Sequence, residues 1–148
     1  MLKITTKTYK ELTTNELYSI LQLRSEVFVV EQDCVYQDID GKDQKALHIL
    51  GFKKNKIVAY TRIFKPGDYF NLSSIGRVVV AINERKHKYG YTIMEASIKA
   101  IGEYYKTSEI RISAQCYLKP FYNNLDFFEV GEEYLEDGIP HIGMLYKK

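Results

Sequence analysis

Tryptophan is absent from the 148 residues, and only two cysteines and three prolines occur. Cys34 and Cys116 lie far apart with no Cys-x-x-Cys spacing. This argues against a disulfide framework or a zinc site and fits a reducing, cytoplasmic compartment. No apolar run approaches the roughly 18 residues of a membrane span. Met1-Leu2-Lys3-Ile4-Thr5-Thr6 lacks the apolar core of a secretion signal, so none is expected. An excess of one charge is missing too. Lys plus Arg is 21 and Asp plus Glu 19, a net +2, which offers no bulk attraction for nucleic acid or anionic membrane. Any anionic ligand has to be held by a local site. Repeats, low-complexity tracts and linkers are also lacking, which predicts a single domain over 1–148. At this size about 68–70% of the unfolded surface is buried on folding, enough for a core without staples. The 45% hydrophobic and 27% charged fractions are those of a soluble globular protein rather than a disordered one.

What the chain has in quantity is aromatic: 13 Tyr and 7 Phe. A Tyr-rich sheet that binds single-stranded RNA would want an RNP1-like Lys/Arg-Gly-Phe/Tyr stretch, and none is present. Residues 2–9 read as a polar edge strand. Thr13-Thr14-Asn15-Glu16 is a capping-box pattern, followed by Leu17, Ile20, Leu21, Arg24, Val27 and Phe28 at helical spacing, with Arg24 the one polar member. That predicts a helix over about 14–30. Residues 32–46 read as an acidic loop or a short helix. His48–Phe52 and Ile57–Phe64 predict a hairpin around a polar turn. Ile75–Ile82 is nearly continuously apolar, the pattern of a strand buried on both faces. A long helix over about 88–105, a strand over 109–115, a short helix over 120–125 and strands over 127–134 and 139–146 complete the order. The expectation is a mixed sheet with helices on its faces, α/β or α+β.

Chemistry concentrates where strand 75–82 turns into the long helix through Asn83-Glu84-Arg85-Lys86-His87-Lys88-Tyr89-Gly90. Free backbone N–H groups and the positive end of a helix dipole make an anion pocket, suited to a pyrophosphate. A solvated basic turn is the alternative. Asp38-x-Asp40-x-x-Asp43 invites a calcium reading. An EF-hand loop needs Gly sixth and Glu twelfth, whereas Gly41 is fourth and Ile49 twelfth, so no metal is expected. An acidic rim that draws in a cationic amine and a merely solvated loop are the two readings left.

Arg85-Lys86-His87-Lys88-Tyr89-Gly90, after Arg77-Val78-Val79-Val80, resembles the acyl-CoA loop of the GNAT superfamily, Arg/Gln-x-x-Gly-x-Gly/Ala, with Lys88 at the middle glycine. Phe121-Tyr122-Asn123-Asn124-Leu125-Asp126-Phe127 is similar to that superfamily's Phe-Tyr-x-x-x-Gly-Phe segment, with Asp126 at the glycine. Asp tolerates the left-handed backbone, so the turn is expected to survive. Leu23-Arg24-Ser25-Glu26-Val27-Phe28 through Asp40-Gly41, Ile75–Val79, and Tyr134–Met144 resemble the ElaA-like branch over roughly residues 15–145. Lys at the middle glycine position looks usual there. The resemblance implies a mixed, mostly antiparallel GNAT sheet splayed between its fourth and fifth strands, with helices on both faces. It also implies an acetyl-CoA-dependent N-acetyltransferase acting on a primary amine of a small molecule or peptide. A non-catalytic acyl-CoA-binding module of the same fold is the alternative, and monomer and homodimer are both open.

Acetyl transfer needs CoA held, the carbonyl polarised, a proton taken from the amine and one given to the thiolate. The resemblance places backbone groups of Val78, Val79 and Val80 along the pantetheine arm and the turn Arg85, Lys86, His87, Lys88, Tyr89, Gly90 on the pyrophosphate. Without it, Val78–Val80 would read as ordinary buried strand. Tyr122 is placed as proton donor to the thiolate, where the alternative in so Tyr-rich a chain is simple packing. Candidate bases are Glu31, His48, Glu136 and His141. A histidine suits a base near neutral pH, but each could equally be a structural hydrogen-bond partner, and a water chain could serve instead.

Overall fold

The computed structural model describes residues 1–148. The strands are β1 (Lys3–Thr8), β2 (Leu47–Lys53), β3 (Lys56–Phe64), β4 (Ser73–Val80), β5 (Ile110–Gln115), β6 (Phe127–Glu136) and β7 (Ile139–Tyr146). They form one sheet in the order β1-β2-β3-β4-β5-β7-β6. All neighbours are antiparallel except β4 and β5. The helices are α1 (Thr14–Arg24), α2 (Tyr89–Tyr105) and the short α3 (Lys119–Asn123).

The local chemistry follows the sequence closely. Thr13 caps α1 reciprocally: its hydroxyl accepts from Glu16 N–H at 3.0 Å while the Glu16 carboxylate accepts from Thr13 N–H at 2.9 Å. Lys54 and Asn55, at φ 50° and 68°, make the left-handed two-residue turn that matches the twist of a hairpin. The helix expected over 14–30 changes character part-way. It is α-helical to Arg24 and then widens into a π-helix over Ser25–Glu31. Such widening is rare and often sits at functional sites.

One face of the sheet packs on α2 through Ile93, Met94 and Ile101, all fully buried. The other packs on α1 and the π-segment through Ile20, Leu23 and Val27, against Leu50, Tyr60 and Val79. The strand buried on both faces is β3, whose residues from Ile57 to Phe64 are all buried. Sequence pattern assigned that role to β4. Gly76–Val78 and Val80 of β4 are only half-buried, because this part of the strand lines an open cleft.

The cleft follows from how β4 leaves β5. The two pair only at Ser73 with Ile110 and Ser74 with Arg111. Just beyond, Arg77 and Val78 together oppose the single residue Thr61 of β3, a β-bulge with Arg77 at φ 50°. A bulge bends its strand and sharpens the local twist, and β4 and β5 part from there like the sides of a V.

The three aspartates of the acidic loop form neither a rim nor a solvated face. Asp38 and Asp43 are buried, and together with Asp40 they face three arginines from three elements. Arg24 of α1 reaches Asp38 and Asp43 at 2.9 Å each. Arg62 of β3 holds Asp40 at 2.6 Å and Asp43 at 2.9 Å. Arg77 Nε stands 2.7 Å from Asp38 Oδ1, too bent for a hydrogen bond, while its Nη2 donates to the Asp38 carbonyl at 2.9 Å. Burial opposes ionisation of Asp40 and Asp43. Hydrogen bonds from Arg62 to the first, and from Arg24 and Arg62 to the second, outweigh it and hold both carboxyls below the usual carboxylate range. Three cations against three anions leave no charge to attract an amine.

Candidate functional site

The V between β4 and β5 opens into a cleft of about 870 Å³. Its walls come from the π-segment, β4, the start of α2, β5, α3 and the β6–β7 turn. On β4, Val79 and Val80 pair across to Tyr60 and Ala59 of β3. On the opposite edge, past Ser74, β4 has no strand partner, so backbone N–H and C=O groups there are presented to the cleft. Buried backbone groups are rarely left unpaired in proteins. This edge is free to pair with an extended ligand.

At the end of β4 a 3-10 turn over Ile82–His87 leads to Lys88, which holds φ 60° and ψ 30° as the N-cap of α2. The residue at the middle glycine position of the motif is thus left-handed, and lysine is held there at a cost of roughly 1–2 kcal/mol. No side chain caps α2, so the N–H groups of Tyr89 and Gly90 lack intrahelical partners, while that of Tyr91 donates to the Lys88 carbonyl at 3.2 Å. Gly90 matters for space as well: a Cβ there would lie 3.2 Å from the Phe121 ring. Arg85, Lys88 and Gly90 line the cleft. Lys86 and His87 are exposed beside it, and the Tyr89 ring is buried in the core, so none of these three lines the cleft.

Tyr122 of α3 lines the cleft and is buried. Its ring is fixed edge-on by Phe121, at 5.0 Å between centroids, and by Phe127, at 6.1 Å. Burial pushes its phenol above the ordinary value. Asp126, which closes the following turn, takes φ 70°, the left-handed conformation expected of it.

The four candidate bases part company. His48 is not brought to the cleft. It is fully buried, with Nε2 donating to the Asp43 carbonyl at 2.9 Å and Nδ1 accepting from the Tyr60 hydroxyl at 2.6 Å. Burial pushes its pKa down, and with both nitrogens engaged it is a structural histidine. Glu31 reaches the cleft from the last turn of the π-segment, but Arg85 grips both its oxygens at 2.6 Å. That hydrogen-bonded grip lowers its pKa and makes it a weaker proton acceptor. His141 and Glu136 both line the cleft. His141 Nδ1 donates to the Ile139 carbonyl at 2.7 Å, which leaves Nε2 of the neutral ring carrying the lone pair. Glu136 Oε2 stands 3.5 Å from that Nε2, placed to stabilise an imidazolium.

Sequence reasoning passed over Tyr36, Tyr69, Arg111 and Ser113. Tyr36, Tyr69 and Ser113 line this cleft, and Arg111 lines its extension beyond Ser113 and Glu136. For β5 the signal was present: Arg111, Ser113 and Gln115 alternate with Ile110, Ile112 and Ala114, so the polar set shares a face.

Comparison with known proteins agrees with this geometry. The sequence pattern of the "Acetyltransferase (GNAT) domain" matches residues 6–148. The protein ElaA of Escherichia coli is 44% identical over 138 residues, covering 92% of this chain and 90% of that protein. The crystal structure of Escherichia coli ElaA superposes with a TM-score of 0.91 at 41% identity, covering 99% of this chain and 100% of the other. That of an acyl-CoA N-acyltransferase from Pseudomonas aeruginosa gives 0.92 at 39% identity, again over 99% and 100%.

Proposed function

The chain belongs to the GNAT acetyltransferase family, and from that premise we propose that it moves an acetyl group from acetyl-CoA directly to a primary amine of a small molecule or peptide. The observation that carries the reading is the parting of β4 from β5, with Tyr122 and His141 both lining the opening.

The unpartnered edge of β4 at Val78–Val80 takes the pantetheine arm as a further strand would be taken. Lys88 and the N–H groups at the start of α2 take the pyrophosphate, with Arg85 beside them, held by Glu31. An N–H on the same β4 edge polarises the thioester carbonyl. His141 Nε2 accepts the amine proton, directly or through one water, as the new N–C bond forms, and Glu136 steadies the resulting imidazolium. The C–S bond then breaks. Sulfur leaves into a hydrogen bond from the Tyr122 hydroxyl, which hands on its proton and is reloaded from solvent. The raised pKa of Tyr122 has two effects. It keeps the phenol protonated at every physiological pH. It also makes transfer to a free thiolate, whose thiol is more acidic than this phenol, uphill unless concerted with C–S cleavage.

Thermal unfolding with CoA and acetyl-CoA, followed by thiol release over a panel of polyamines, aminoglycosides, amino acids and peptides, tests the reading. CoA is expected to raise the Tm by mass action. No shift at millimolar CoA overturns the proposal. A shift without turnover on any amine makes the chain a binding module instead.

A further inference from the structure

The chain has five arginines. Arg24, Arg62 and Arg77 are committed to the buried aspartates and Arg85 to Glu31. Arg111 alone has no ion pair, and its guanidinium makes no hydrogen bond within the chain. It is half-buried and seated rather than loose. The guanidinium lies over the Phe70 ring at 5.7 Å from the centroid, and a Cβ on Gly143 would meet Arg111 Nη2 at 2.7 Å. Glycine at 143 is what leaves the guanidinium its place. A half-buried, aromatic-backed arginine with all five donors unspent is built to bind an anion, and its planar fork fits a carboxylate.

The position is informative. Arg111 lines a second hollow, of about 500 Å³, that meets the main cleft at Tyr69, Ser113 and Glu136. Lys42 and Asp68 stand at its rim. Gly143, against which the guanidinium rests, lies two residues from His141 on β7 and on the same face, opposite Ser113 where His141 is opposite Gln115. Two residues of strand span about 7 Å. An amine at His141 and an anion at Arg111 are therefore separated by several bonds.

We infer that Arg111 reads a carboxylate on the acceptor, so that the acceptor is an amine carried several methylenes from a carboxylate, as in an ω-amino acid or a lysine side chain with its own free carboxylate. The inference rests on the acyltransferase reading, since it takes His141 as the place of the amine.

Calorimetric binding of 6-aminohexanoate and of hexylamine to the CoA-saturated protein tests it. A charge-assisted hydrogen-bonded pair predicts that 6-aminohexanoate binds about tenfold to a hundredfold more tightly. Arg111→Gln removes the preference, and Arg111→Lys, which keeps the charge and loses the fork, retains part of it. Equal affinities in the unmodified protein, no binding of 6-aminohexanoate, or a preference that survives Arg111→Gln overturns the inference. Aminoethyl phosphate in a parallel titration separates the sources of the anion: binding tighter than that of 6-aminohexanoate overturns the carboxylate assignment. The CoA step keeps the two readings apart. If CoA fails to bind, the acyltransferase reading falls and takes this one with it. If CoA binds and the preference is missing, this one falls alone.

Discussion

Replacing Tyr122 by Phe removes one oxygen and nothing else that the structure uses. The ring keeps its edge-on contacts with Phe121 and Phe127. The hydroxyl makes no hydrogen bond within the chain, so its loss strands no partner. Stability is therefore expected to change by less than about 0.5 kcal/mol, the range of substitutions that disturb no special feature. A tyrosine that served the fold through a hydrogen bond would instead lose about 1 kcal/mol. Catalysis is expected to behave differently. Donation to a departing thiolate is general acid catalysis, typically about 10²–10⁴-fold, or ~2.7–5.5 kcal/mol of barrier. Water entering the cleft recovers part of this. The expected variant is folded, binds CoA like the parent, and turns over at least about tenfold more slowly in a single-turnover assay of thiol release. Single turnover matters because slow product release would mask a change in the chemical step. A folded Tyr122→Phe protein with undiminished single-turnover rate would refute the assignment and leave water or another side chain as the donor.

Gly90→Asp is expected to lower CoA affinity more than Lys88→Gly, because it sets a carboxylate among the anion-binding N–H groups and presses its Cβ on Phe121; equal Kd values by titration would move the pyrophosphate elsewhere. Lys88→Gly is also expected to stabilise the fold by about 1 kcal/mol in urea, by relieving the left-handed lysine; a loss of stability would contradict this. Asp43→Ala leaves buried Arg24 and Arg62 short of a partner, with an expected loss of about 3–5 kcal/mol; a loss below ~1 kcal/mol would show that the cluster reorganises freely. The folded pKa values of Asp40 and Asp43 lie below their unfolded ones, so their contribution is complete above the ordinary carboxylate value of ~3.9 and is lost as pH falls from there toward the folded values. Tm against pH should drop steeply below about pH 4, and a profile flat down to about pH 2 would contradict the pairing.

Elements set by local chemistry were legible from sequence: the capping box at Thr13 and Glu16, the alternation of β5, and the left-handed turn at Asp126. What escaped was long-range. Asp38, Asp40 and Asp43 read as a charged surface because their partners lie 14 to 39 positions away, on three different elements. One sign was visible, since Arg24 interrupts an otherwise apolar helical stripe, and an arginine facing a core must find an anion there. His48 carried no such sign. Nothing in its neighbours distinguishes a histidine locked between a carbonyl and a phenol from one open to substrate, whereas β7 pairing puts His141 at the mouth of the V. The double burial assigned to β4 belongs to β3, because an apolar strand beside a ligand cleft and one beneath a helix have the same composition.

The opening between β4 and β5 gives this sheet four exposed strand edges instead of two. Unpaired edges invite other chains to add on, so each needs a guard against self-association. The outer edges have charge: β1 carries Lys3 and Lys7, and β6 carries Glu129, Glu132, Glu133 and Glu136. The inner two are guarded by shape. They converge on Ser73 and Ser74, and a wedge closed at one end and walled by helices on its faces excludes the flat stacking by which sheets aggregate.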